Sequence, residues 1–152
     1  MARIPKDFLE FFELLNAHSV KYAVVGGYAV AYHGSPRFTG DIDVVVGSDE
    51  QNARSILSAL EEFGFSGTGL SAQDFIQPDH VVELGVPPMR IDILTGIDGV
   101  TFDEVWEQRV EVRIEKVSMH FISRELLIRN KRATGRAQDL ADLESLSSER
   151  AE

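Results

Sequence analysis

Apolar residues recur with a helical period near the start of the chain. Phe8, Phe11, Phe12 and Leu15 share one face, while Lys6, Asp7, Glu10 and Glu13 take the other. The pattern predicts an amphipathic helix from Pro5 to about Ala17. Tyr22-Ala23-Val24-Val25 follows as a continuous apolar run, the mark of a buried strand. Gly26-Gly27 breaks that run, Tyr28 to His33 reads as a short helix of small residues, and Gly34 ends it. Ser35 to Gly40 carries loop residue types.

The next strand is read over Asp41–Val46. Ser48 with Gln51 forms a capping-box pattern for a helix to about Phe63, with Ala53, Ile56, Leu57, Leu60 and Phe63 inward and Gly64 at its end. Further strands are predicted at His80–Leu84, Met89–Leu94 and Arg109–Glu115, with a shorter one over Met119–Ile122. Ser123 caps a helix to about Ala133, and a last helix after Gly135 turns Leu140, Leu143 and Leu146 inward. Phe102 and Trp106 read as core rather than base-stacking residues. No internal repeat, low-complexity segment or linker interrupts the chain, so one α/β domain over residues 1–152 is expected.

Composition narrows the class. With 152 residues the chain is long enough to bury a substantial core, and 43% hydrophobic against 26% charged residues argues against disorder. Every apolar run falls short of the ~20 residues a membrane-spanning helix needs. The N-terminus lacks the apolar core of a secretion signal, and there are no cysteines, so disulfides and thiolate metal sites are excluded. A cytoplasmic protein with no membrane association is expected. The formal charge of −10, from 15 basic and 25 acidic residues, repels a nucleic-acid backbone, and extensive duplex binding is not expected. Yet Arg124, Arg129, Lys131, Arg132 and Arg136 fall in one stretch with Glu125 as the only acid. That stretch is either a local pocket for a small polyphosphate or a solvated basic helix face.

Candidate chemistry begins at Asp41-Ile42-Asp43-Val44. Side chains alternate across a strand, so Asp41 and Asp43 share a face. Two carboxylates held together repel unless a cation neutralises them, and Mg²⁺ favours such oxygen ligands. The alternative is an idle, solvated pair of acids at a strand end. Upstream, Gly26-Gly27 lies between strand and helix, where free backbone N–H groups can meet an anion and no Cβ holds a phosphate away. Downstream, Arg90-Ile91-Asp92-Ile93 puts Ile91 and Ile93 toward the core and Asp92 opposite them. If that strand neighbours Asp41–Val46, Asp92 completes a three-carboxylate cluster. Two ions about 3.5–4 Å apart would then stabilise an in-line phosphoryl displacement. Arg90 reads as a screening partner for Asp92.

Gly26-Gly27, the spacer Tyr28 to Gly40 and Asp41-Ile42-Asp43-Val44, with Asp92 between isoleucines, resemble the signature of the DNA polymerase β-like nucleotidyltransferase superfamily. The run Gly26 to Gly34 with Arg37, Thr39 and Asp41-Ile42-Asp43, together with Lys131 to Leu143, is more narrowly similar to the abortive-infection (type IV toxin) nucleotidyltransferases and related bacterial and archaeal proteins. The resemblance spans nearly the whole chain. It implies the nucleotidyltransferase fold, a mixed β-sheet flanked by helices with further helices at the C-terminus. It also implies an enzyme that transfers NMP from an NTP to a hydroxyl, with two Mg²⁺ or Mn²⁺ ions on Asp41, Asp43 and Asp92. Asp92 would also help deprotonate the acceptor. Gly26 and Gly27 would hold the β- and γ-phosphates, although Gly27 lacks the hydroxyl of the serine many superfamily members carry there. Arg37 and Thr39 would steady the triphosphate or the metal-bearing strand, and Lys131 or Arg136 the leaving pyrophosphate. Arg136 could equally pair with Asp139 one helical turn on.

The acceptor stays open between a tRNA 3′ end, a protein hydroxyl and a small molecule, with a role in a toxin–antitoxin system and a homodimer or partner protein supplying acceptor surface. The competing class is a non-catalytic nucleotide-binding or interaction module on the same fold. His18, His33, His80 and His120 lack zinc-ligand spacing, and only His33 lies near the proposed site.

Overall fold

The computed structural model describes residues 4–34, 40–65, 69–85 and 90–149. Helix α1, Lys6–Ala17, buries Phe8, Leu9, Phe11, Phe12 and Leu15, the face the periodicity selects. Strand β1, Tyr22–Val25, is buried along its whole length. Helix α2 spans Gly26–His33 and so starts two residues before the apolar pattern suggests. Gly26 takes a φ of 68°, a left-handed conformation that turns the chain from strand into helix at one residue.

Strand β2 is Ile42–Val46. Helix α3, Glu50–Leu60, is capped by Asp49, whose side chain accepts a hydrogen bond from the Asn52 backbone N–H at 2.8 Å. This corrects the expected Ser48–Gln51 box, since a carboxylate one residue later reaches the free N–H group. The helix ends at Leu60 rather than Phe63 and passes into a π-helical turn, Glu61–Phe65, with Gly64 at a φ of 107°. Leu57 and Phe63 are only partly buried.

Strands β3, Val81–Leu84, and β4, Ile91–Leu94, form an antiparallel pair. Helix α4, Phe102–Glu107, was not expected from periodicity, yet Thr101 and Glu104 form a reciprocal capping box at its start. Phe102 and Trp106 stack on one another there and are half-buried. A hairpin of β5, Val110–Ile114, and β6, Val117–Phe121, turns through Glu115 at a φ of 55°. Ser123 caps helix α5, Arg124–Thr134, and left-handed Gly135 ends it ahead of helix α6, Ala137–Glu149.

Among the described residues the strands form one six-stranded mixed sheet in the order β3-β4-β2-β1-β6-β5. The β1–β2 pair is antiparallel, whereas β2–β4 and β1–β6 are parallel. This is the mixed sheet flanked by helices that the resemblance implied. Helix α2 lies against β1 and β2 and meets α5 and α6, while α1 packs on α3 and β6.

One expectation fails on α6. Leu140 is 60% exposed, Leu143 is half-buried and only Leu146 is fully buried. The inward stripe is instead Asp139, Asp142 and Leu146, at i, i+3 and i+7. Two buried carboxylates displaced the leucines because a buried lysine on α5 stands opposite them.

Candidate active site

The β2–β4 register sets Asp43 directly opposite Asp92, and the β1–β2 and β3–β4 registers extend that row to Val25 and Glu83. Directly paired residues project from the same face of a sheet, so Asp43 and Asp92 stand side by side. Just ahead of them, the Ile42 N–H donates to the Arg90 carbonyl at 3.1 Å, which brings Asp41 beside Arg90. Asp41 and Asp43 from one strand, with Arg90 and Asp92 from the next, make a two-by-two square.

Within the square the carboxylates crowd. Asp43 is pushed up to about 7, first by burial and then by the negative charge of Asp92, with which it shares a hydrogen bond, and by Asp41. Lys131 opposes that shift from across the cleft. Arg90 supplies the local positive charge: its guanidinium lies 2.9 Å from Asp41 Oδ2, 3.1 Å from Asp92 Oδ1 and 3.2 Å from Asp92 Oδ2. Sequence reading placed Arg90 beside Asp92 alone; in the fold it spans two of the three acids.

Gly26 completes this corner. A Cβ built on it would overlap Asp43 Oδ2 and stand 3.1 Å from Asp43 Cβ, so only glycine lets the backbone pass so close to the carboxylate. Gly27 follows in the first turn of α2.

A cleft of ≈ 340 Å³ opens over Val25, Gly26 and Asp43. Its far wall is the end of α5, with Asn130, Lys131 and Thr134, together with Arg136, and its rim is the loop Gly96-Ile97-Asp98. Four of the residues singled out in the sequence, Gly26, Asp43, Lys131 and Arg136, therefore line one space. Asp41 and Asp92 join through the square. Arg37 and Thr39 lie outside the described residues.

A buried network positions the basic wall. Lys131 Nζ, on a side chain only 9% exposed, lies 3.2 Å from both Asp139 Oδ1 and Asp142 Oδ2. Asp139 also accepts from the Thr134 hydroxyl at 2.6 Å and from the Arg136 backbone N–H at 3.1 Å and Nε at 2.8 Å. Burial alone would raise its pKa, but Arg136, Thr134 and Lys131 together hold it well below the usual carboxylate range. Arg136 thus does pair with Asp139, while its side chain stays 73% exposed at the cleft edge.

Sequence reasoning missed Asn130 and the Gly96–Asp98 loop. The Asn130 amide donates to the Asp98 carbonyl at 2.8 Å and ties the loop to α5, a contact between positions 32 apart that no local pattern signals. His33 Nε2 donates to the Ile122 carbonyl, 2.7 Å away, and ties α2 to the residue that follows β6.

The donor set fits a divalent cation. Hard carboxylate oxygens face one another, burial and the charges of Asp92 and Asp41 raise the Asp43 pKa, and Asp92 Oδ1 is buried without a directed hydrogen bond. Among the described residues no group of three or more potential ligand side chains already converges on one point, and Arg90 stands among the acids. No helix of the described residues is long and apolar enough to cross a membrane.

Comparison with known proteins bears on the fold and the family. A search of curated proteins returns no match. Among solved structures, TM1012 from Thermotoga maritima, carrying a nucleotidyltransferase assignment, superposes with a TM-score of 0.61 at 20% identity, over 94% of this chain and 91% of that one. The lincosamide antibiotic adenylyltransferase LnuA, in a lincomycin-bound structure, gives 0.57 at 15% identity over 97% and 99% of the two chains. An antigenic nucleotidyltransferase-like protein from Paracoccidioides brasiliensis gives 0.54 at 18% identity over 97% and 77%. At these identities the likeness establishes the fold. The family model described as "Nucleotidyltransferase of unknown function (DUF6036)" matches residues 6–148, and the chain belongs to that family.

Proposed function

We propose that this protein is a metal-dependent enzyme that transfers NMP from an NTP to a hydroxyl acceptor and releases pyrophosphate. The observation that carries the reading is the facing pair Asp43 and Asp92 on adjacent parallel strands, with Gly26 pressed against Asp43 and Lys131 across the same cleft. Asp41, Asp43 and Asp92 would hold Mg²⁺ or Mn²⁺. Such ions polarise the reacting phosphate and neutralise charge on the attacking and leaving oxygens.

The remaining work falls to this chain's own groups. Backbone N–H groups at the start of α2, beginning at Gly26 and Gly27, would hold triphosphate oxygens, where the helix dipole also favours an anion. Lys131 or Arg136, which line the opposite wall while paired with Asp139, would meet the departing pyrophosphate. Arg37 and Thr39 belong to the same reading on the strength of the motif alone. Asp92, hydrogen-bonded by Arg90 and facing Asp43, would help take a proton from the acceptor hydroxyl. Asp43, whose pKa is raised by burial and the neighbouring acids, would have to be ionised to hold a cation.

The acceptor is a hydroxyl on a small molecule, a protein or a tRNA end. LnuA, a small-molecule adenylyltransferase with a similar fold, supports the first of these. A protein target would fit a toxin–antitoxin pair, with acceptor surface from a partner or a second copy. Incubation with [α-³²P]NTPs and extracts fractionated into RNA, protein and small metabolites tests the reaction. Label transferred by the wild type and lost in Asp41→Ala/Asp43→Ala supports it, and the labelled fraction names the acceptor class. Absence of transfer in all three fractions with all four NTPs contradicts it.

A further inference from the structure

Arg90 does more than screen one neighbour. Its guanidinium reaches Asp41 Oδ2 and both oxygens of Asp92, so a single side chain bridges two of the three acids of the square. The fit is imperfect. Arg90 Nε and Asp92 Oδ1 lie 3.1 Å apart, yet both are buried atoms without a directed hydrogen bond. Among the described residues the ion-pair partners of the guanidinium are the acids themselves, and its side chain is 30% exposed.

We propose that Arg90 is a resident counter-cation that competes with the divalent metal for Asp41 and Asp92, and that it must leave them before the metal site forms. The inference rests on the metal-dependent reading above and adds to it a gate built from the chain itself. Its physical basis is occupancy. A carboxylate oxygen engaged by a guanidinium cannot at the same time be an unhindered metal ligand, and a monocation and a divalent ion on the same oxygens repel. Without either, three carboxylates would face each other at the ends of two neighbouring strands, a costly arrangement for the free protein. The guanidinium holds the square together until the metal replaces it. Its half-buried side chain can then turn toward solvent.

Apparent metal affinity is reduced by the fraction of molecules in which Arg90 is closed, so removing the guanidinium raises it. The test is Mn²⁺ binding by the nucleotide-free protein, read from the free-ion EPR signal, for wild type, Arg90→Met, Arg90→Lys and Asp92→Asn. Arg90→Met keeps the length of the side chain without its charge and is expected to bind Mn²⁺ about tenfold more tightly than wild type. Arg90→Lys, a point charge without the fork, falls between them, and Asp92→Asn loses binding. Equal or weaker binding by Arg90→Met, with wild-type binding abolished in Asp92→Asn, overturns the gate and leaves the metal site standing. No Mn²⁺ binding by any form removes the metal-dependent reading as well. If Arg90→Met does not fold, the comparison of wild type with Arg90→Lys decides. It is joined by the Arg90 Nε resonance of ¹⁵N-arginine-labelled wild type, which must move on Mg²⁺ saturation; an unchanged resonance overturns the proposal.

Discussion

Gly26 and Asp43 share one space: the position a Cβ would take at residue 26 is already filled by the Asp43 carboxylate. The glycine also sits at a φ of 68°, where a side chain is strained whatever room it has. Gly26→Ala is therefore expected to lose about 1–3 kcal/mol of stability and to push Asp43 away from Asp92. Thermal melts together with Mg²⁺–NTP titration check this. A variant that melts and binds as wild type would separate the glycine from the acid pair.

The raised pKa of Asp43, about 7, has two consequences of definite sign. A cation competes with its proton, so Mg²⁺ affinity should rise with pH up to about 7 and level off above it. In the metal-free protein the folded state holds this proton more tightly than the unfolded chain. The associated stability is fully present below the ordinary carboxylate range and is lost as pH rises through 7. Asp43→Asn should therefore melt at the same temperature as wild type near pH 4 and about 5 °C higher at pH 8. A gap that shrinks with rising pH would contradict the assignment.

Asp139 is fully buried and gathers Lys131, Thr134 and Arg136 into one network. Asp139→Ala leaves the Lys131 ammonium with one carboxylate and should cost about 3–5 kcal/mol, as loss of one partner from a buried pair does. Lys131→Met, which leaves Asp139 and Asp142 buried with less positive charge, should cost a similar amount and also weaken NTP binding, which calorimetry on the folded variant measures separately from the melt.

On α6 the leucines divide. Leu146→Ala is expected to cost about 2–5 kcal/mol because the side chain is fully buried, whereas Leu140→Ser should leave the melting temperature within about 1 °C. Chemical denaturation of both variants checks this.

Much of this was readable along the chain, for physical reasons that can be named. Helix α1 and strand β1 are each set by one uninterrupted apolar pattern, and their limits follow it closely. Asp43 and Asp92 stand out along the chain because acids inside short apolar strands are out of place, and Asp41 because it lies two residues before Asp43, just ahead of the strand. That Asp43 and Asp92 would stand in register depended on β2 and β4 being parallel neighbours, which the sequence alone left as a condition. Local chemistry misled where two signals compete one residue apart, as Ser48 did beside Asp49. The inward turn of Asp139 and Asp142 was hidden for a different reason. A helical pattern assigns leucines to the core, and only a buried lysine eight and eleven residues earlier reverses that choice.

The most direct measurement is calorimetric titration of the wild type and Asp41→Ala/Asp43→Ala with the Mg²⁺ complexes of ATP, CTP, GTP and UTP. Saturable binding of at least one nucleotide by the wild type, lost in the double variant, is the predicted result. Failure of the wild type to bind any of the four, or undiminished binding without the two aspartates, would contradict it.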